Sequence, residues 1–496
     1  MKKIVFVIII TLTATYDILA QWHPGAEIDI NNIKTTLYGT GCFLRHRGGE
    51  TYYDYGYYNP STGSVSTIYQ NSLWIGGLDN NDSLHIAATR HDQVGIDFWS
   101  GPLHETDAST DIFTVMEYHH VWKVARADIE VLIANPGGDI PDDILNWPAA
   151  YAPFIDVDGD GIYNPRNGDY PDILGDMALF CIYNDNYGFH SETGGRQLGV
   201  EIHCMLYGFN TPEDEILNNT LFTRQWIYNR SANTYHDTYI SSFTDIDIGN
   251  PNDDFTGCNV EHGYYYCYNS DDFDEDYTSN YISMSGYGEN IPAQIVMILG
   301  GPNMDPDGFD NPKYDSNGNQ IVDESINGLG FGDGIVDNER IGMTSYYSHY
   351  NPYSPSPAFP EDSNYYNVMK CLKPNGQPIE FGGDGFVGVV GPVCKFMYPF
   401  DSDTLNWGTG GVMPNGGFNQ NGYYWSEETG NNGGSNTPGD RRCLSSMGPF
   451  TFESGAVHVI DRAYVTCWFT NGFDRLEMDE WAMYIKNYFL NNLYNK

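Results

Sequence analysis

Short apolar or alternating runs recur along this chain between clusters of Gly, Asn and Asp. They fall at residues 64–69 (SVSTIY), 73–76 (LWIG), 84–88 (LHIAA), 200–207 (VEIHCMLY), 223–228 (TRQWIY), 294–299 (QIVMIL) and 456–460 (AVHVI). Runs of this length, rich in β-branched and aromatic residues and bounded by turn formers, read as strands. Their number and spacing predict a mainly β fold of sandwich-like antiparallel sheets. Helical periodicity is sparse. Residues 127–134 predict one short helix, and residues 474–493 a longer one, because Leu476, Trp481, Tyr484, Ile485, Tyr488, Phe489 and Leu493 recur at helical spacing. That C-terminal amphipathic helix is expected to dock its apolar face on the body. Long loops rich in Gly, Asn and Asp occupy residues 300–340 and 405–440. The pattern divides the chain into a leader (1–20), an N-terminal β region (21–150), a loop-bearing segment (151–199), a main β region (200–473) and the C-terminal helix (474–496).

The leader has the form of a signal peptide. Lys2 and Lys3 precede an apolar run from Ile4 to Ile10, and Ala20 offers a small residue for cleavage before Gln21. The run is too short for a permanent membrane anchor, and no later segment is long and apolar enough to be one. No cysteine precedes Cys42, so a lipid-modified N-terminus is not expected. The mature protein is expected to be exported.

Charge narrows the partners. With 66 acidic and 23 basic residues the formal net charge is -43, which disfavours nucleic acid and anionic membrane, because phosphate groups are bound by clustered Lys and Arg. Charged residues make up only 18% of the chain and aromatic residues 15%, including 39 Tyr, a balance that belongs to an ordered protein and not to an acidic disordered tail. Tyr and Trp suit strands, and some are candidates for sugar-stacking surfaces. The nine cysteines are scattered, without a Cys-x-x-Cys pair. An exported protein could pair some of them; Cys258 with Cys267 and Cys371 with Cys394 are the candidates, and the odd number leaves at least one thiol unpaired.

The strongest chemical signal is DVDGDGIYNPRNGD at residues 156–169. Carboxylates two residues apart, followed by glycine where the backbone turns, wrap oxygen ligands around a hard divalent cation. The expected Ca2+ ligands are Asp156, Asp158 and Asp160, the Ile162 carbonyl, Asn164 and the closing carboxylate Asp169. An EF-hand places a bidentate Glu at its twelfth position, which here is Asn167, so a helix-loop-helix sensor is not expected. A second, weaker cation loop is expected at Asp315, Asn317, Asn319, Ile321 and Asp323, where oxygen side chains again alternate. In both places the competing reading is an ordinary acidic turn, since Asp, Asn and Gly favour turns without metal.

Catalytic signatures are few. No Gly-x-Ser-x-Gly elbow, His-Glu-x-x-His helix or phosphate-binding glycine loop is present. His119, His120, His190, His203, Glu261 and His262 supply acid, base and ligand types. Asp245 and Asp247 would share one face of a strand, and two carboxylates across a cleft can hydrolyse glycosides. The sequence therefore predicts a calcium-binding, non-catalytic structural or adhesive protein of the cell envelope or exterior, with envelope glycan or protein as partner. A secreted glycoside hydrolase or other polymer-degrading hydrolase is the alternative. Oligomeric state is not legible.

A further set of motifs carries a resemblance. LWIGGLD (73–79), LHIAA (84–88), DFWSGP (97–102), the acidic loop with GDYP (168–171), ETGG (192–195), LGVEIH (198–203), DGIVDNER (333–340) and GDRR (439–442) before GPF (448–450) occur in order over residues 28–470. The series resembles the N-terminal region of large secreted Bacteroidota proteins that usually end in a sorting domain for type IX secretion. That resemblance implies export across the inner membrane. No trailing sorting domain follows within these residues, so the cell surface and the periplasm both stand as destinations.

Overall fold

The computed structural model describes residues 24–44, 56–90, 95–278, 283–350, 359, 361–386, 389–414, 422–430 and 434–496. The leader at residues 1–20 lies outside them. Two large antiparallel sheets dominate. In the first, strands run in the order Gly25–Ile28, Thr35–Tyr38, Cys42–Phe43, Gln70–Leu78, Tyr235–Ile246, Arg441–Phe452 and Ser345–Tyr350, with Leu84–Ala87 on the free half of Gln70–Leu78. In the second, the order is Asp254–Asn259, Tyr264–Asn269, Ala293–Gly300, Val457–Cys467, Thr220–Asn229, Val200–Gly208, Met177–Asn184 and Trp99–Ser100, with Trp122–Ala125 also paired to Met177–Asn184. The regions 21–150 and 200–473 each contribute strands to both sheets, so the sequence segments are not separate structural units.

Alternation along the strands explains the layering. In Met177–Asn184, Leu179, Cys181 and Tyr183 join the core between the sheets, while Ala178, Phe180 and Ile182 join a second core on the far face. Tyr265 and Cys267 divide from Tyr264, Tyr266 and Tyr268 in the same way. Side chains two apart share a face, so a strand buried on both sides is apolar along most of its length, as 295–299 is. The first sheet is covered on its outer face by the helix Asp362–Met369 and its neighbours, where Trp74 stacks on Phe243 at 4.9 Å and meets Tyr365 at 5.2 Å.

The C-terminal helix spans Arg475–Asn492, capped by Asp474, whose carboxylate accepts the Leu476 and Glu477 amides. It covers the second core with Met478, Trp481, Ala482, Ile485 and Phe489. Two residues of the expected apolar face lie elsewhere. Leu476, in the first turn, is 78% exposed, and Tyr484 is turned out to hydrogen-bond Asp214. The short helix expected over 127–134 spans Arg126–Ala134. Residues 64–69 form only an isolated bridge at Ser66, and the strand begins at Gln70. The cysteine pairings do not form: no disulfide joins any of the nine cysteines, all of them buried. In the hairpin Cys258 faces Tyr265 and Cys267 faces Thr256, which keeps the two thiols out of direct register. Among the described residues, no helix is long and apolar enough to cross a membrane.

Candidate metal centre

The acidic loop 156–169 closes a two-stranded hairpin, with Phe154 opposite Pro171 and Ile155 opposite Tyr170. Its flanks are therefore strands and not helices. Gly159, Gly161 and Gly168 have φ values of 76°, 78° and 109°. A side chain at 159 or 161 would meet open space, so the left-handed backbone alone demands glycine there. The short helix Pro165–Asn167, capped by Asn164, brings the chain back. Tyr163 ties the loop to the body by donating its hydroxyl to the Ile144 carbonyl at 2.7 Å.

Local hydrogen bonds fix the carboxylates. Asp156 accepts the Gly159 and Gly161 amides at 2.7 and 2.8 Å. Asp169, fully buried, accepts the Val157 and Asn164 amides, both at 2.8 Å. Asp158 accepts the Asn167 side-chain amide at 3.0 Å. One oxygen from each of Asp156, Asp158 and Asp169 then lies within 4.8 Å of the others. Asp160 stands outside this trio and accepts the Ile162 amide at 2.7 Å. Ile162 exposes its side chain, and Asn164 uses its side-chain oxygen to cap Arg166 at 3.1 Å. Three carboxylates so placed, without an ion pair to any of them among the described residues, repel one another strongly unless a cation lies between them. The chemistry of the donor set, all oxygen and largely anionic, fits calcium.

The second loop is simpler. Asp315 accepts the amides of Asn317 and Asn319 at 2.8 and 2.9 Å and the Asn319 side chain at 3.1 Å, an Asx turn that holds its carboxyl below the usual range. Asp323 accepts the Ser325 amide at 2.8 Å, and the Ile321 amide donates to the Lys313 carbonyl. These contacts are ones that an acidic turn makes by itself.

The catalytic candidates are dispersed. His120 bonds Asp143 at 2.7 Å, His203 bonds Glu201 at 2.8 Å, and His262 bonds Asp479 on the C-terminal helix at 2.7 Å. His190 is buried, with its ring nitrogens on the Ile86 and Asp185 carbonyls. Asp245 and Asp247 do share a face, but they are buried, and Asp440 joins them with oxygens within 4.8 Å. Asp440 escaped the sequence reading because it reaches the pair only through strand pairing nearly two hundred residues away. A separate cleft of about 220 Å³ is lined by Phe381, Phe400, Asp401, Asp403, Asn406 and Tyr424, with Phe400 and Tyr424 5.2 Å apart. Compared with known protein families and with curated proteins, the chain matches none.

Proposed function

We propose that this is an exported, calcium-stabilised protein that acts by binding or as a structural element at the cell envelope or exterior. The observation that carries the reading is the convergence of Asp156, Asp158 and Asp169 on one hairpin tip. Calcium there pins the tip, and Tyr163 transmits that order to the segment around Ile144. The cleft beside Phe400 and Tyr424 combines aromatic faces with the carboxylates of Asp401 and Asp403 and the amide of Asn406. Aromatic faces take the apolar side of a sugar ring and the polar groups take its hydroxyls, so a glycan is the ligand class it suits.

The test is a binding screen of the purified protein against glycans and envelope extracts, in calcium and in chelator, with product release followed in the same wells. Retention that depends on calcium and is lost in Tyr424→Ala supports the reading. Absence of any ligand in every fraction counts against it, and release of soluble sugar or peptide establishes the hydrolase instead. The pair that would serve such a hydrolase, Asp245 and Asp247, is only 4% and 7% exposed, a burial that does not suit attack on a polymer.

A further inference from the structure

Strand register sorts the buried cysteines. Cys443 stands opposite Thr244 on one side and Ser348 on the other, Cys467 stands opposite Ala293, and Cys42 stands opposite Ser72. Cys258 and Cys267 miss each other in their hairpin. Cys181 and Cys204 do not: where Met177–Asn184 pairs with Val200–Gly208 they are direct partners. Among the described residues, no other two cysteines share a strand register.

Opposite residues of an antiparallel pair point to one face, with Cα atoms about 4.5–5.5 Å apart. That separation falls within the span of about 4.4–6.8 Å that a disulfide bridges. Both side chains enter the core between the sheets, and both are fully buried. The two thiols meet there: burial, and then hydrogen bonding with Cys204, holds the Cys181 thiol well above its ordinary value. The Tyr38 carbonyl, 4.0 Å from the Cys181 sulfur, is a more distant acceptor. Residues 185–199 join the two strands and reach the first sheet. There the Ile86 amide donates to the Arg196 carbonyl at 3.0 Å, and the Ile86 carbonyl lies 2.8 Å from the His190 ring.

We propose that Cys181 and Cys204 are an oxidation site, joined as a cross-strand disulfide when the chain folds in the presence of a disulfide-bearing oxidant. The proposal rests on the export reading for the source of that oxidant in the cell, and on register for its geometry. The thiolate of one cysteine attacks the oxidant's disulfide, forming a mixed disulfide and releasing one oxidant thiol. The thiolate of the other then attacks the protein sulfur of that mixed disulfide, the bridge forms, and the second oxidant thiol leaves. The protein loses two protons and two electrons, and the oxidant's disulfide takes them up as two thiols. Burial suppresses the thiolate in the finished fold, so the bridge forms before the sheets close over it. It then ties the base of the segment 185–199 and restricts the unfolded chain on either side of the contact with the first sheet.

The decisive experiment refolds the full mature chain from urea with mixed reduced and oxidised glutathione, and in parallel with reduced glutathione alone. Thiols are alkylated in denaturant before non-reducing proteolysis and mass spectrometry. The expected result is Cys181 linked to Cys204 in the first sample and both alkylated in the second. Loop-closure entropy, set against the unfolding entropy of a chain this long, should place the oxidised protein about 3 °C above the reduced one in scanning calorimetry. Recovery of the two cysteines unlinked from an oxidised sample with native near-ultraviolet circular dichroism overturns the proposal, as does linkage of either to a different cysteine. Cys204→Ala should lose both the linked peptide and the oxidant-dependent rise in melting; a rise that survives in it overturns the assignment. If Cys204→Ala does not fold, Cys181→Ala carries the same comparison, and the parent's peptide map decides. A bridge that forms on refolding but is absent from protein recovered from the producing cells supports the pair and counts against export.

Discussion

Replacing Asp158 with Asn isolates the charge of the hairpin loop from its shape. Asp158 is exposed and makes two loop contacts, accepting the Asp160 amide at 3.3 Å and the Asn167 side chain at 3.0 Å. An Asn oxygen can replace the first, so the turn survives, whereas one of three converging negative charges is removed. Two opposite effects follow. Without metal, the substitution eliminates two of the three repulsive pairs, so the variant should melt no lower than the parent in chelator. With calcium at one hundred times the dissociation constant, binding to the folded state alone stabilises the parent by about 2.7 kcal/mol. The chain has 496 residues, and an unfolding entropy of about 2.1 cal/mol/K per residue gives about 1 kcal/mol/K. The loop therefore contributes a rise of about 3 °C that the variant should lose. Differential scanning calorimetry of both proteins, in calcium and in chelator, gives the four melting temperatures. The expected signature is a crossing, with the variant equal or higher in chelator and lower in calcium. An equal calcium-induced rise in parent and variant would refute the assignment of the ion to this loop.

Three further outcomes are expected. Asp461, almost fully buried, pairs with Arg224 at 2.7 Å and Arg340 at 3.0 Å, and Arg224 also donates to the carbonyls of Leu493 and Lys496. Asp461→Ala leaves two buried guanidinium groups without their carboxylate and should cost about 3–5 kcal/mol in urea denaturation; a cost under 1 kcal/mol would contradict the pairing. Trp481→Ala should cost about 3–5 kcal/mol by emptying the core beneath the C-terminal helix, whereas Leu476→Ala, at an exposed position, should stay within about 0.5 kcal/mol. Similar costs at both positions would mean that the helix docks by another face. Asp253 is pushed up to about 7 and Asp274 to about 6, in both cases first by burial. Both values exceed the unfolded value of about 3.9, so the folded state holds protons that the unfolded state releases. Their contribution is complete below about pH 4 and is lost as pH rises through about 6 to 7. Asp253→Asn should flatten that decline between pH 5 and 8 in chelator, and an unchanged slope in denaturation midpoints would refute it.

How far the sequence leads depends on whether the information is local. Strands such as Val200–Gly208 and Ala293–Gly300 were legible because a short, mostly apolar run with turn formers at its ends has few alternatives. The helix Arg475–Asn492 was legible from its periodicity, although spacing alone could not tell that Leu476, in the first turn, is exposed. Tyr235–Ile246, apart from its end at Asp245, and Arg441–Phe452 were missed as strands. Their Ser, Thr, Asp and Arg residues look like loop until they pair across the sheet, where Ser241 meets Ser446 and Asp245 meets Arg442. The convergence of carboxylates in the hairpin loop was legible because they fall within fourteen consecutive residues. The buried cluster was legible only as the pair Asp245 and Asp247, since Asp440 joins it through strand pairing that no local pattern shows. The suggested thiol pairings failed for the same reason: closeness in sequence says nothing about register.

The net charge of -43 is carried largely by the surface, because the buried arginines are matched by buried carboxylates. Arg90, Arg224, Arg230, Arg340, Arg441 and Arg442 are all largely buried and point their guanidinium groups at interior carboxylates. Arg462 lies between the sheets, donating to Asn71, Ser242 and Gln225 with its plane near the Phe43 ring. Arginine suits these places because its planar fork satisfies several acceptors while remaining charged. The consequence is that these arginines are engaged in the interior, whereas Asp156, Asp158, Asp307, Asp310, Asp333 and Asp337 stand on loops without a paired base among the described residues. Such a surface repels anionic polymers and other copies of itself at low ionic strength, and it concentrates divalent cations near the loops that can hold them. Adding monovalent salt screens the repulsion but cannot fill a three-carboxylate site, so the two effects separate. If calcium stabilises this protein beyond what an equal ionic strength of sodium chloride achieves, the gain must come from bound ions and not from screening.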